Sequence, residues 1–245
     1  MFLAFAHQKI GRWNTEEQDA ITRDSEDALT AMIIGRLRYL PPRVTWCLLV
    51  ACADIVRGTA PAEPRSLRMA FWPRMPHPWE PDRKVEPDVV WEDETGIIVI
   101  EAKWNGTQSP EQIDRECAAV MRAHPAQRVT MLALGGVNAN VTIELRDRCR
   151  AQAVLALGWD RLADAARALR REEATEPFRN VLEDVVSILE WRGLRGIEHL
   201  KTFDSLPRFP LVPPLRSASP ERAFHDLRGL PRVIADGIRH WRPCD

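Results

Sequence analysis

The feature that most constrains this chain is a run of four aliphatic residues, Ile97 to Ile100, followed at once by Glu101 and Lys103. A short aliphatic run next to a turn signal is typical of a buried β-strand. Burying a carboxylate and an ammonium beside it costs free energy unless the groups pair or hold a metal ion. The pattern therefore predicts a strand whose end carries a functional site.

The preceding residues predict that this strand is one arm of a β-hairpin. An acidic turn from Glu92 to Gly96 folds the chain back, which brings Asp88 alongside the end of the strand. Glu101 and Lys103 are two residues apart and share one face. The opposite face is expected to pack on a helix because it is apolar: Ile98, Ile100 and Ala102.

Two carboxylates and one ammonium at a sheet edge indicate a particular chemistry. Carboxylate oxygens, water and a substrate phosphate are the usual ligands of Mg²⁺. A nearby lysine can orient a water molecule or stabilise negative charge on phosphorus. The hairpin therefore predicts a metal-dependent site that acts on a phosphate ester.

Pro87-Asp88 and the later Glu101-Ala102-Lys103 resemble the motif of the PD-(D/E)xK nuclease superfamily. The resemblance implies an α/β, restriction-endonuclease-like fold with a mixed central sheet flanked by helices. It also implies that Asp88 and Glu101 bind Mg²⁺ or Mn²⁺ and that Lys103 acts on the attacking water. The backbone carbonyl of Ala102 is a further implied ligand.

A glutamate on the first predicted helix, Glu26, is the next candidate. It lies at the edge of an apolar stripe formed by positions 29, 33 and 37. Many members of the superfamily take a metal ligand from this helix, so the resemblance implies that role for Glu26. Two alternatives stay open: Glu26 is an ordinary helix-surface residue, or the ligand is Glu17, Asp24 or Asp27 instead.

Gln112 also has two interpretations. Some branches of the superfamily carry Gln-x-x-x-Tyr on the helix after the lysine strand, and the resemblance implies that Gln112 helps to fix the site. The chain departs from this pattern, because Glu116 stands four residues later. The favoured interpretation is that Gln112 completes a helix cap with Ser109. The two interpretations are compatible.

A second Pro-Asp and a second acid-x-Lys occur at Pro81-Asp82 and Asp82-Arg83-Lys84. They lie in a proline-rich segment with no apolar strand beside them, so we interpret them as solvated loop residues. The chain has only four lysines against thirty arginines. A lysine placed after a buried strand therefore favours a chemical need for that residue type at Lys103.

Residues 61–87 combine prolines with tryptophans and arginines. Basic residues interleaved with aromatic ones can follow a phosphate backbone and stack on bases. The alternative is a structural loop with solvated arginines, and it is slightly favoured because nothing in the sequence places these side chains on one face. The residues concerned are Trp72, Trp79, Arg65, Arg68, Arg74 and Arg83.

Composition and length limit the function. A net charge of −1 over 245 residues means that any nucleic-acid contact must come from a local patch. The five cysteines show no paired spacing, which favours a reducing compartment. No apolar run approaches membrane-spanning length, and Met1 to Ala6 lacks the basic start of a secretion signal. A cytoplasmic location is expected.

The predicted elements alternate as in a mixed α/β domain. Before the hairpin, helices are expected over residues 16–39 and 44–56 and a strand over 67–72. After it come helix 109–123, strand 129–134, helix 141–150, strand 153–157 and helix 160–171. Residues 1–172 are interpreted as a nuclease core. Residues 173–245 are interpreted as a helical extension with helices over 176–191, from 219 and over 231–241.

The expected function is Mg²⁺-dependent hydrolysis of phosphodiester bonds. By family analogy DNA is the favoured substrate and RNA the alternative, with restriction, phage defence and repair as common roles. A second class of function is a catalytically silent protein on the same fold that binds nucleic acid or acts as a scaffold. Hydrolysis of a small phosphoester is a third. The C-terminal helices are expected to offer a surface to a protein partner or to a second copy.

Overall fold

The computed structural model describes residues 26–172 and 175–194. Its centre is a mixed sheet of six strands: β1 (Asp54–Arg57), β2 (Arg68–Phe71), β5 (Val89–Asp93), β6 (Gly96–Ala102), β7 (Val129–Leu134) and β8 (Ala153–Leu157). Two short strands, β3 (Met75–Pro76) and β4 (Lys84–Val85), form a separate pair. The α/β class and the mixed sheet are therefore as predicted.

The strands lie in the order β1-β8-β7-β6-β5-β2. The three central strands β6, β7 and β8 are parallel. The flanking strands β5, β2 and β1 each run antiparallel to their neighbour in the sheet. The predicted hairpin is confirmed: β5 and β6 pair with Val89 opposite Ile100, so Asp88 lies beside the end of β6.

Helices cover both faces of the sheet. The helices are α1 (Glu26–Leu37), α2 (Pro42–Trp46, continued by a π-helical turn at Cys47–Ala51), α3 (Pro110–Ala123), α4 (Ala139–Arg148), α5 (Trp159–Glu172) and α6 (Glu176–Trp191). On one face, Ile98, Ile100 and Ala102 join a core that includes α1, α5 and α6, so the predicted apolar face packs on helices. On the other face, Ile97 and Val99 pack with α3 and α4.

Two local predictions are wrong. Residues 44–56 do not form one helix, because the helical segment stops at Ala51 and Asp54–Arg57 continue as edge strand β1. Pairing with β8 supplies the hydrogen bonds that make this segment a strand, and no local pattern reveals a partner so far along the chain. The proline-rich segment is not all loop either, since it contains the β3–β4 pair.

The C-terminal part is described only as far as residue 194. The predicted helix over 176–191 is confirmed as α6, which packs on α1 and α5 through Leu182, Val185, Val186 and Leu189. The predicted helices from 219 and over 231–241, and the part of the first helix before residue 26, lie outside the described residues. The division of the chain at residue 172 stays a prediction. Within the described ranges, no helix has the length and apolar character needed to cross a membrane.

Candidate metal and active site

Asp88 is held at the start of β5 by two hydrogen bonds. The backbone N–H of Ala102 donates to Asp88 Oδ2 at 2.9 Å, and the indole Nε1 of Trp72 donates to Asp88 Oδ1 at 3.2 Å. The side chain is only 9% exposed. The carboxylate therefore faces the end of β6 in a fixed orientation, as the hairpin predicted.

Glu101 is more deeply buried, at 2% exposure. Its Oε1 accepts hydrogen bonds from Lys103 Nζ at 3.0 Å and from Gln112 Nε2 at 2.7 Å. Its Oε2 is buried and has no hydrogen-bond partner. A buried carboxylate oxygen without a donor costs free energy, so this atom is suited to an additional ligand, such as a cation.

Lys103 links the strand to the first helix. Its Nζ lies 3.5 Å from Glu26 Oε1, while Glu26 Oε2 accepts a hydrogen bond from the backbone N–H of Trp104 at 3.0 Å. The side chain of Lys103 is 21% exposed, whereas that of Glu101 is 3% exposed. The ammonium group is thus the part of the pair that reaches toward solvent. Glu26 thus lies beside Lys103, and its role as a metal ligand stays a prediction.

Gln112 contacts both Ser109 and the site, but its side chain does not complete the predicted capping box, because it donates to Glu101 and Glu116 instead of pairing with Ser109. Its backbone N–H donates to Ser109 Oγ at 3.3 Å, which caps α3. Its side-chain amide donates to Glu101 Oε1 and, at 2.9 Å, to Glu116 Oε1. Glu116 was not predicted as part of the site. Its position four residues after Gln112 on the same helix face was the available signal, because that face also carries the buried Ile113 and Val120.

The three buried carboxyl groups at this site have raised pKa values. Burial, and next the negative charge of Glu101, raise the pKa of Asp88 to about 8. Burial and the neighbouring Glu116 raise the pKa of Glu101 to about 8 and outweigh the ammonium of Lys103. Burial raises the pKa of Glu116 to about 7. In the metal-free protein these raised pKa values favour the protonated form of the three carboxyl groups near neutral pH.

The pKa of Lys103 shifts in the direction that keeps it charged. Burial lowers this pKa, but the Glu101 carboxylate and its hydrogen bond, together with Glu26, outweigh burial and raise it above the ordinary value. Lys103 is therefore an ammonium at neutral pH. A protonated lysine donates hydrogen bonds and positive charge, and it does not accept a proton.

Neighbouring residues hold the backbone at the end of β6. Gln108 Nε2 donates to the carbonyl of Glu101 at 3.0 Å and to that of Gly135 at 3.1 Å, and Trp159 Nε1 donates to the carbonyl of Lys103 at 2.8 Å. Gly135 has a φ of +72°. A Cβ at that position would overlap the carbonyl oxygen of Lys103, so the close approach of these segments requires glycine.

The donor set fits a hard divalent cation. Among residues 26–172 and 175–194, no three His, Cys, Asp or Glu side chains form a ready metal cage. Mg²⁺, however, usually takes one or two carboxylates and keeps several waters. The unpaired oxygen of Glu101 and the carboxyl group of Asp88 buried near it meet that need. Ala102 contributes its N–H to Asp88, and a role for its carbonyl stays a prediction.

The second Pro-Asp and acid-x-Lys behave as solvated surface, as predicted. Asp82, Arg83 and Lys84 are exposed, and Lys84 lies on the short strand β4. The two tryptophans of this segment differ in exposure: Trp72 is buried against Asp88, and Trp79 is 53% exposed. Arg83 pairs with Glu80 within this surface. This arrangement agrees with the favoured interpretation of the segment as structural.

A pocket of about 300 Å³ lies near this centre, at the carboxyl ends of β7 and β8. Its walls include Gly135 and Gly136, which pass close to Lys103, together with Ile55 and Arg146. None of the buried carboxylates lines it. The pocket is therefore distinct from the carboxylate–lysine cluster.

The chain matches no known family model, no curated protein and no solved structure. The geometry alone defines the class of site: buried carboxylates, an ammonium and an amide at the end of a central strand of an α/β protein.

Proposed function

We propose that this protein is a divalent-metal-dependent nuclease with a restriction-endonuclease-like fold. The observation that carries the proposal is the convergence at the end of β6. Hydrogen bonds and an ion pair join the side chains of Glu101, Lys103, Gln112 and Glu26 there. Asp88 is bonded to the backbone N–H of Ala102, between Glu101 and Lys103. This is the arrangement that the resemblance to the PD-(D/E)xK superfamily implies.

Asp88 and Glu101 would hold the metal ion, with Glu26 and the Ala102 carbonyl as further ligands. When bound, Mg²⁺ or Mn²⁺ supplies Lewis-acid polarisation of the phosphate and lowers the pKa of a water molecule. The protein's part is to fix these ligands. Gln112 orients Glu101 by donating to its Oε1, and Trp72 orients Asp88 by donating to its Oδ1.

Lys103 acts as a cationic donor in this proposal. Because its pKa is raised, the ammonium stays charged while negative charge develops on the phosphate oxygens. Donors placed in advance at such a position stabilise the transition state more than the ground state. The partial exposure of Lys103 lets the ammonium meet a bound phosphate.

DNA is the substrate that we propose, on the analogy of the superfamily, with RNA as the alternative. Roles in restriction, phage defence or repair follow the same analogy. A net charge of −1 is compatible with nucleic-acid binding through a local patch, because screening confines such contacts to roughly a Debye length, about 8 Å at physiological salt.

Incubation of the full-length chain with plasmid, linear DNA and RNA in Mn²⁺ or Mg²⁺ tests the proposal. Asp88→Asn is expected to abolish cleavage, because it removes a ligand charge while keeping the side-chain shape. Asp82→Asn is the matched control, since Asp82 also follows a proline but is exposed. Cleavage by Asp88→Asn at the parent's rate contradicts the site assignment. Metal binding without cleavage of any polymer favours the catalytically silent alternative.

A further inference from the structure

We infer that Glu116 is a further ligand of the divalent cation held by Glu101, so that the metal centre extends onto α3. The inference rests on the proposed metal-dependent function and assigns a new residue to the same site. Neither the strand motif nor the first helix accounts for this carboxylate, which replaces the tyrosine of the Gln-x-x-x-Tyr pattern.

Glu116 is tied directly to the site through one amide group. Gln112 Nε2 donates to Glu101 Oε1 at 2.7 Å and to Glu116 Oε1 at 2.9 Å. Both carboxylates are therefore held against the same nitrogen atom, on the face of the sheet that α3 covers. Each is only 2% exposed, so water cannot screen the charge of one from the other.

Each of the two carboxylates also has one oxygen without a partner. Glu101 Oε2 and Glu116 Oε2 are both buried and accept no hydrogen bond from an N–H donor. Lys103 pairs with Glu101 and Glu26. Within the part of the chain that the structure describes, Glu116 takes part in no ion pair. Two buried oxygens without a donor, on carboxylates that share the Gln112 amide, are suited to binding a divalent cation.

A purely structural role does not account for this placement. The neighbours of Glu116 on the buried face of α3 are Ile113, Cys117 and Val120. An apolar side chain there would pack against the sheet without the cost of burying a carboxylate. In the metal-free protein a proton held between the Glu101 and Glu116 carboxyl groups reduces this cost, and a divalent cation bound to both carboxylates would take the place of that proton.

Calorimetric titration of the full-length protein with Mn²⁺ tests the inference. Glu116→Gln keeps the shape of the side chain and removes its charge, and we expect it to weaken Mn²⁺ binding by about tenfold or more. Glu111→Gln is the matched control, because Glu111 lies on the same helix, is 65% exposed and pairs with Arg148. This control is expected to bind Mn²⁺ as the parent does.

The melting temperature separates a ligand from a structural residue. If Glu116 is a ligand, its buried carboxyl group destabilises the protein in EDTA, where no metal is bound. Glu116→Gln should then melt in EDTA at the parent's temperature or above it. Adding Mn²⁺ should raise its melting temperature by less than it raises the parent's. A lower melting temperature in EDTA with unchanged Mn²⁺ affinity overturns the inference. Should Glu116→Gln not fold, Glu116→Asp withdraws the carboxylate from the site and must also weaken binding.

The same titration distinguishes failure of the inference from failure of the proposed function. Suppose that the parent binds Mn²⁺, that Glu101→Gln does not, and that Glu116→Gln binds it as the parent does. Glu116 is then not a ligand, and the nuclease proposal stands. If the parent itself binds neither Mn²⁺ nor Mg²⁺, both the proposed function and the role of Glu116 are wrong.

Discussion

At the scale of single residues, Trp72 shows how the fold fixes the carboxylate of Asp88. Its φ of 48° lies in the left-handed region, where a bulky residue is strained. Its backbone N–H donates to the carbonyl of Asp88 at 3.0 Å, and its indole donates to the Asp88 carboxylate. Trp72 thus contacts Asp88 through both backbone and side chain, which makes it a positioning residue for the site.

Replacing Trp72 by Phe is expected to weaken Mn²⁺ binding and slow cleavage, because Asp88 loses the donor that orients it. Trp91→Phe is the control: Trp91 is also buried, and its indole donates to the carbonyl of Ser66 at 3.1 Å. Each change removes one hydrogen bond, which contributes about 1 kcal/mol to the free energy of unfolding. Urea unfolding of each variant measures this loss. Equal effects of the two variants on Mn²⁺ affinity would exclude a specific role for Trp72.

The buried carboxyl groups predict how stability depends on pH without metal. The pKa of Asp88 rises from 3.8 to about 8, and that of Glu101 from 4.5 to about 8. The folded state thus binds these protons more tightly than the unfolded state does. Their contribution to stability is complete below about pH 4 and is lost as the pH rises through about 8.

In EDTA, the free energy of unfolding is therefore expected to fall between about pH 5 and about pH 8.5, by an amount on the order of a few kcal/mol. Urea denaturation across this range measures the fall. The double variant Asp88→Asn, Glu101→Gln serves as control and should show a flatter profile. If the free energy of unfolding of the parent stays level or rises over this pH range, then Asp88 and Glu101 do not have raised pKa values in the metal-free protein.

At the scale of elements, the sequence predicted those helices and strands whose own residues carry a local signal. The aliphatic run before Glu101 predicted β6, and the Ser-Pro start predicted α3 with its cap on Ser109. Strand β1 was missed because its four residues become a strand only by pairing with β8 at the sheet edge. Such a long-range partner leaves no local periodicity in the sequence.

The same distinction applies to the site. Asp88, Glu101 and Lys103 could be predicted because one hairpin brings them together. Gln112 and Glu116 come from α3, and their approach depends on how that helix packs on Ile97 and Val99. The contact of Trp72 with Asp88 also depends on a left-handed backbone conformation, which no residue preference of tryptophan predicts.

At the scale of the whole molecule, the two helix layers meet at the end of β6. The layer on one face contributes Glu26 from α1, and the layer on the other contributes Gln112 and Glu116 from α3. Helix α6 packs on α1 and α5, so it supports the helix that carries Glu26. The site is thus formed by the folded domain as a unit, which accounts for its buried and mutually oriented charges.

The rate of nucleic-acid cleavage by two lysine variants, at saturating Mn²⁺, tests the central claim most directly. Lys103→Met removes the ammonium beside Glu101, and Lys84→Met removes an exposed lysine that also stands two residues after an acidic residue. We predict that Lys103→Met cuts about a hundredfold or more slowly than the parent, while Lys84→Met cuts at the parent's rate. Cleavage by Lys103→Met as fast as by Lys84→Met would contradict the account.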